Sequence, residues 1–181
     1  MARNNRTRTA LAAVAVLAAT AIPATGAVAN ATPTEFPNVD AYPAVNLPDY
    51  YVTAAHPSGA RWSFSTPSGI ECSASMIADL GIYCWGALGA DDDSDQVWAS
   101  LEKAGRFSTA EQGGSDSGTL LPVGSKIETP SGMVCAVPTA QELACRAQKP
   151  DSWPDTPSPG ARLQEYGVHG FVLEPSGSWA F

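Results

Sequence analysis

The chain has 181 residues, 44% of them hydrophobic, and its 18 acidic residues against 10 basic ones give a formal net charge of −8 at pH 7. This length suits one domain with a buried core. Nucleic acid and anionic membranes are not expected as partners, because both are negatively charged and an acidic surface repels them.

The N-terminal stretch, residues 1–29, has the layout of a secretory signal peptide. Three arginines precede an apolar run that extends from Ala10 to Ile22, and small residues follow it. These small residues predict cleavage after Ala29 or Ala31. The apolar run is shorter than the ~20 residues that span a bilayer. We therefore expect an exported mature chain that has no transmembrane anchor and, since the removed part contains no acidic residue, is more acidic still.

Residues 30–60 contain five prolines with aromatic residues between them. Proline removes a backbone donor and biases the residue before it toward extended geometry. The stretch is therefore predicted to be an extended arm, neither a helix nor a central strand. The arm can lay Phe36, Tyr42 and the segment from Tyr50 to Val52 on the surface of the domain.

The remainder, residues 61–181, is predicted to be a single β domain, because it repeats one phrase: FSTPSGIEC at 64–72 and IETPSGMVC at 127–135. Apolar and polar residues alternate on both sides of TPSG, which is typical of half-buried strands. Each phrase thus predicts a β-hairpin with proline at the first central turn position and glycine at a positive φ. The repeats are residues 61–86, 124–147 and a partial copy without cysteine at 169–181. The turn residues are Pro67, Gly69, Pro130, Gly132, Pro175 and Gly177.

All four cysteines lie in the exported part, and an even number in an oxidising compartment predicts two disulfides. Of the three possible pairings, the repeat favours Cys72 with Cys84 and Cys135 with Cys145, because each pair then lies inside one copy. In the chain-entropy model each bond stabilises the fold by ~3 kcal/mol. The spacings do not fit a zinc site.

One short helix is predicted between the two copies, over residues 93–104. Val97, Trp98, Leu101 and Ala104 would lie on one face of this helix, and Gly105 follows as a C-terminal cap.

The acidic residues at this helix start allow two interpretations. Asp91, Asp93, Asp95 and Glu102 have the spacing of positions 1, 3, 5 and 12 of an EF-hand-like calcium loop. However, position 6 is Gln96, where that loop needs glycine for a sharp turn. We therefore favour aspartates that cap the helix and complement its dipole, and we expect no metal or other cofactor.

A nucleophilic enzyme would need a histidine base, and the exported part offers only His56 and His169. Ser117 lies in GGSDSG, which superficially resembles the nucleophile region of trypsin-type proteases. In those enzymes two glycines follow the serine and help to form the oxyanion hole, whereas here Gly118 is followed by Thr119. No catalytic residue is therefore assigned.

Five tryptophans allow a stacking platform for a sugar or a peptide. The more common role of tryptophan is in the core, and Trp62, Trp85 and Trp179 all lie in predicted strands. Trp153, in the proline-rich connection at 149–160, is the one whose exposure matters most.

With their F-x-TPSG-x-x-C hairpins and paired cysteines, residues 61–147 resemble small secreted proteins of actinobacteria that have no assigned activity. The resemblance implies an exported domain of the cell envelope or the medium, and it implies no catalytic residue.

Together these observations predict an all-β fold with one short helix, a small antiparallel barrel or sandwich built from duplicated, disulfide-stapled hairpins. The expected function is a non-enzymatic binding or interaction module whose partner is an envelope or extracellular protein or glycan. A small secreted hydrolase and a secreted protease inhibitor are the alternatives.

Overall fold

A computed structural model of the chain describes residues 35–90, 93–109, 118–154 and 166–181, all within one compact unit, Glu35–Phe181. The described residues form strands and four short 3-10 turns. The strands are β1 (Tyr51–Val52), β2 (Arg61–Ser65), β3 (Glu71–Ser75), β4 (Ile82–Trp85), β5 (Gln96–Ala99), β6 (Arg106–Ser108), β7 (Thr119–Leu120), β8 (Lys126–Glu128), β9 (Met133–Ala136), β10 (Leu143–Gln148), β11 (Val168–Leu173) and β12 (Trp179–Ala180). The 3-10 turns are Val39–Ala41, Leu47–Tyr50, Pro57–Gly59 and Ala78–Leu80.

The strands form two sheets. The first has the order β1-β2-β3-β4-β5-β6, all antiparallel, with β7 parallel to β2. The second has the order β12-β11-β10-β9-β8 and is antiparallel throughout. The predicted all-β class is confirmed, and the two sheets stay separate instead of closing into a barrel. No helix in the described residues is long and apolar enough to cross a membrane.

The main core lies between the sheets and is built from one matched row of residues in each. Strand alternation directs every second side chain inward, and the register then aligns these inward residues across neighbouring strands. The row of the first sheet is Phe64, Cys72, Cys84 and Val97. The row of the second sheet is Ile127, Cys135, Cys145 and Phe171. All eight are at most 2% exposed and belong to one apolar cluster.

Each disulfide joins two cysteines that face each other directly in the register. Cys72 bonds to Cys84 across β3 and β4, and Cys135 bonds to Cys145 across β9 and β10, with a Cα–Cα distance of 4.1 Å in each case. These are the pairs that the repeat predicts. A shift of the register by one residue would move one cysteine to the opposite face of the sheet, so each bond fixes the register of its strands.

The two TPSG turns have the same hydrogen bonds, and threonine is at the centre of both. In the first, the Ile70 N–H donates to Thr66 Oγ1 at 3.1 Å, Thr66 Oγ1 lies 2.8 Å from Ser68 Oγ, and Gly69 has a φ of 84°. That φ lies in the left-handed region that glycine adopts without strain.

In the second turn, the Met133 N–H donates to Thr129 Oγ1 at 3.1 Å, Thr129 Oγ1 lies 2.9 Å from Ser131 Oγ, and Gly132 has a φ of 86°. The phrase is therefore repeated because the fold uses one corner twice. The third copy differs, because Glu174 stands where the others have threonine and its N–H donates to Ser178 Oγ at 3.3 Å.

The predicted helix at 93–104 is wrong, because Gln96–Ala99 forms β5. Val97 and Ala99 are buried and Trp98 between them is not, which is the period of a strand. The spacing of the apolar residues by itself fits a helix. However, pairing with β4 on one side and β6 on the other outweighs the weak helical propensity of such a short segment. The following residues form the turn to β6, in which the Lys103 N–H donates to Ser100 Oγ at 3.2 Å.

The N-terminal arm contacts both sheets. Its first part, residues 36–45, hereafter the strap, covers the outer face of the second sheet, where Val39 is fully buried among the outward residues of β9, β10 and β11. Both terminal nitrogens of Arg146 donate to the Asp40 carboxylate at 3.0 Å. Farther on, Tyr50 enters the main core, and β1 pairs with β2 at the edge of the first sheet. Within its described residues, 35–60, the arm forms three 3-10 turns and the edge strand β1.

The threonine at each corner should be needed for stability. Replacing Thr129 with valine keeps the shape but removes the acceptor of the buried Met133 N–H, and an unsatisfied buried donor costs about 1–3 kcal/mol. We expect Thr129→Val to lower the free energy of unfolding by that amount in urea titrations with the disulfides intact. Thr129→Ser, which keeps the hydroxyl, is the control. Equal stability of the valine variant and the wild type would contradict this role.

The strap should contribute a small, pH-dependent stabilisation through Asp40. The hydrogen bonds from Arg146 lower the pKa of this carboxyl group, more than burial raises it, and the charge of Lys126 contributes further. A lowered pKa stabilises the fold above the unfolded-state value of about 3.9, and this is lost as the pH falls through the folded-state pKa.

Because the Asp40 side chain is 55% exposed, we expect Asp40→Asn to cost at most about 1 kcal/mol at pH 7. The difference from the wild type should shrink as the pH falls below about 3.9 and disappear below the folded-state pKa of Asp40, in urea titrations at a series of pH values. A difference that grows toward low pH would exclude this mechanism.

Candidate binding face

The outer face of the first sheet carries the most distinctive group of side chains in the described residues. Because the cysteines of β3 and β4 point into the core, their neighbours on each strand point outward, and β5 and β6 follow the same alternation. We call these outward residues the aromatic face: Glu71, Ser73, Tyr83, Trp85, Gln96, Trp98, Arg106 and Ser108.

The register arranges the aromatic face in two parallel rows that cross four strands. The first row is Ser73, Tyr83, Trp98 and Arg106. The second row is Glu71, Trp85, Gln96 and Ser108. The first row therefore has two rings and the second has one, all on β4 and β5. Hydroxyl, amide or charged groups lie beside these rings in both rows.

The three rings are nearly parallel and adjacent. The centroids of Tyr83 and Trp98 are 6.0 Å apart with an interplanar angle of 21°, and those of Tyr83 and Trp85 are 6.1 Å apart with an angle of 17°. Aromatic pairs of this kind gain ~0.5–1.5 kcal/mol beyond burial. The rings are therefore held in a preorganised group instead of being free to rotate separately.

Two cations lie against this group at the β6 end. The guanidinium carbon of Arg106 is 5.1 Å from the Trp98 ring centroid, and Lys103 Nζ is 5.9 Å from it. Both distances fall within the ~6 Å at which a cation is attracted by the ring. Trp98 thus has a ring neighbour on one strand and a stacked cation on the next.

Several polar groups of the aromatic face have unused hydrogen-bonding capacity. Ser108 Oγ donates to Gln96 Oε1 at 3.0 Å, but the side chains of Glu71, Ser73 and Arg106 make no hydrogen bond or ion pair within the part of the chain that the structure describes. Trp85 Nε1 is buried without a hydrogen-bond partner there. Glu71, Ser73 and Arg106 therefore add hydrogen-bonding groups to the apolar ring area of the face, whereas Trp85 Nε1 is buried and is not accessible to a ligand.

The structure brings together few of the other predicted site residues. Asp91 and Ser117 lie outside the described residues. Asp95 precedes β5 and Glu102 follows it, so an extended strand replaces the middle of the supposed calcium loop. Within the described ranges no group of three or more histidine, cysteine or acidic side chains is placed to hold a metal ion.

The two histidines are far apart in the topology: His56 is exposed before the Pro57–Gly59 turn, and His169 lies on β11. Among the described residues neither forms a hydrogen bond with a serine or an acidic side chain. Trp153 is half-buried, as the rings of the aromatic face are, but it packs edge-on against Tyr166 at 6.1 Å and so forms no group of parallel rings.

Several recesses lie elsewhere on the described part of the unit. One of about 370 Å³ lies beside Tyr166 and Lys149, and two others adjoin features already named. The first of these two, of about 240 Å³, opens between Ser68 of the first turn and Pro175 of the third, above Leu143 and Leu173. The second, of about 340 Å³, lies beside the Asp40–Arg146 pair. No ring or histidine lines either of these two recesses in the described part, so neither has the combined chemistry of the aromatic face.

Comparison of the chain with protein-family models, with curated proteins and with solved structures found no match. The resemblance to secreted actinobacterial proteins stays a prediction, and the site has to be argued from its geometry.

The five tryptophans in the sequence suggest a platform but do not show which of them assemble. The predicted helix places Trp98 away from the strands, and neither Tyr83 nor Arg106 is a predicted site residue. One usable signal was present: in Tyr83-Cys84-Trp85 a core-facing cysteine forces both aromatic neighbours to the outer face.

The ring contacts predict energetic coupling on the aromatic face. In a double-mutant cycle of Tyr83→Leu and Trp98→Leu, we expect a coupling of about 0.5–1.5 kcal/mol in the free energy of unfolding. As a control, Tyr83→Leu combined with Trp153→Leu should be additive within ~0.5 kcal/mol. If both cycles gave the same small coupling, the rings would not act as a group.

Proposed function

We propose that this chain is an exported, non-enzymatic binding module of the cell envelope or the medium, and that it contacts its ligand through the aromatic face. The observation that carries the proposal is the group of three near-parallel rings with Arg106 stacked at its end. Tryptophan, tyrosine and arginine are the side chains most enriched at binding hot spots.

The preorganisation of the face supports binding in particular. A ligand that meets loose side chains must offset the entropy lost when they become ordered. Here the mutual contacts of the rings already limit their motion, and the disulfide between Cys72 and Cys84 fixes the strands below two of them. The surface is thus ready to bind with little reorganisation.

Two features support export. The disulfides are of the kind that persist in oxidising compartments outside the cytosol, and residues 1–29 have the layout of a signal peptide. The hydrolase and inhibitor alternatives gain no specific observation from the described residues.

Binding to the producing cell's own envelope tests the proposal. We expect the oxidised protein to sediment with washed envelope fragments, and we expect Trp98→Ala to weaken this binding tenfold or more, a loss of about 1.4 kcal/mol or above.

The matched control is Trp153→Ala, which removes the same side chain from a half-buried position elsewhere and should leave binding near the wild-type level. Circular dichroism and thermal unfolding would establish that both variants are folded. The proposal fails if the wild type binds nothing in the envelope or the culture medium, or if both variants bind as tightly as the wild type.

A further inference from the structure

Resting on the proposed function, we propose that the ligand of the aromatic face is an acidic glycan: a chain of hydroxyl-bearing sugar units, some of which carry a carboxylate. Three observations carry this assignment. They are the alternation of rings with polar groups, the unused hydrogen-bonding capacity of those groups, and the position of the cations.

A sugar ring presents apolar C–H surface and hydroxyl groups in the same unit, so its site needs both kinds of contact close together. The two rows of the aromatic face provide this, because Tyr83 and Trp85 lie on β4 while Ser73 and Glu71 lie directly opposite on β3. A hydroxyl can donate to the Glu71 carboxylate, and Ser73 can either donate or accept. On the other side, Gln96 supplies an amide with both functions.

The polar groups also argue against a protein partner on this face. Glutamate is depleted in the buried core of a protein interface, yet Glu71 lies beside the rings and has no charged partner in the described part of the chain. Burying such a group against an apolar partner surface would cost free energy. A polyhydroxylated ligand can hydrogen-bond to it instead.

The positive charges at one end of the aromatic face favour a negatively charged ligand. The chain is acidic, but Arg106 and Lys103 both lie at the Trp98 end of the face. The Arg106 guanidinium lies over the Trp98 ring and its N–H groups make no hydrogen bond or ion pair within the described residues, and a guanidinium matches a carboxylate with two parallel hydrogen bonds. A carboxylate on a sugar unit next to Trp98 is therefore complementary to this end.

The experiment uses three preparations of envelope fragments from the producing cell. The first is untreated, and the second is digested with protease and extracted with organic solvent. The third is treated like the second and is then chemically reduced at its carboxyl groups. We expect the wild-type protein to bind the first two forms equally and to bind the carboxyl-reduced form about tenfold more weakly.

Substitution of Arg106 tests whether the ligand's carboxylate binds at the Trp98 end of the aromatic face. Arg106→Gln should bind the protease-treated glycan about tenfold more weakly than the wild type and should lose little further affinity on carboxyl reduction. Lys126→Gln removes the same unit of charge from the second sheet and should bind like the wild type.

The outcomes separate the two proposals. If binding disappears with protease or solvent while Trp98→Ala still weakens binding to untreated fragments, the ligand is not a glycan but the aromatic face remains the site. If carboxyl reduction has no effect, or if Arg106→Gln and Lys126→Gln behave alike, the ligand is not recognised as an acid. If Trp98→Ala binds all three forms like the wild type, the proposed function fails as well.

Discussion

The rest of the structure depends on the inward placement of two directly opposed cysteine pairs. Each disulfide joins residues that face each other in the ladder, so it sets the register of its strands and the direction of every side chain on them. With Cys72 and Cys84 in the core, Ser73, Tyr83 and Trp85 must point outward. The outward direction of the aromatic face thus follows from the disulfide between Cys72 and Cys84 on the inner side of the same sheet.

The two copies share an internal frame but differ on their outer faces. In the second sheet the outward residues of β9, β10 and β11 are mainly small and apolar, and the strap covers them with Val39 and ties them through Asp40 and Arg146. In the first sheet the corresponding face carries rings and polar groups. The strap therefore covers the outer face of the second sheet, whereas the outer face of the first sheet carries the rings and polar groups on which the proposed function rests.

The errors of sequence analysis have specific physical causes. Two of the apolar residues in the predicted helix, Val97 and Trp98, occur within a four-residue strand, and a segment of that length fits either period until its partners are known. The pairing of β5 with β4 and β6 decides the matter, because it satisfies backbone groups along both edges of the strand. The same error concealed the site, since it is the pairing of β5 with β4 that places Trp98 beside Tyr83.

The sequence by itself determined what depends on local chemistry: the TPSG corners, the cysteine pairing inside each copy and the all-β class. These follow from turn geometry and from alternation, which neighbouring residues specify. Only the tertiary structure decided how strands pair beyond the predicted hairpins, that the strap covers one sheet, and that Tyr83, Trp85 and Trp98 meet with Arg106. Asp40 of the strap and Arg146 are 106 residues apart in sequence. The ring contacts join consecutive strands, but they exist only once β5 has paired with β4 and β6.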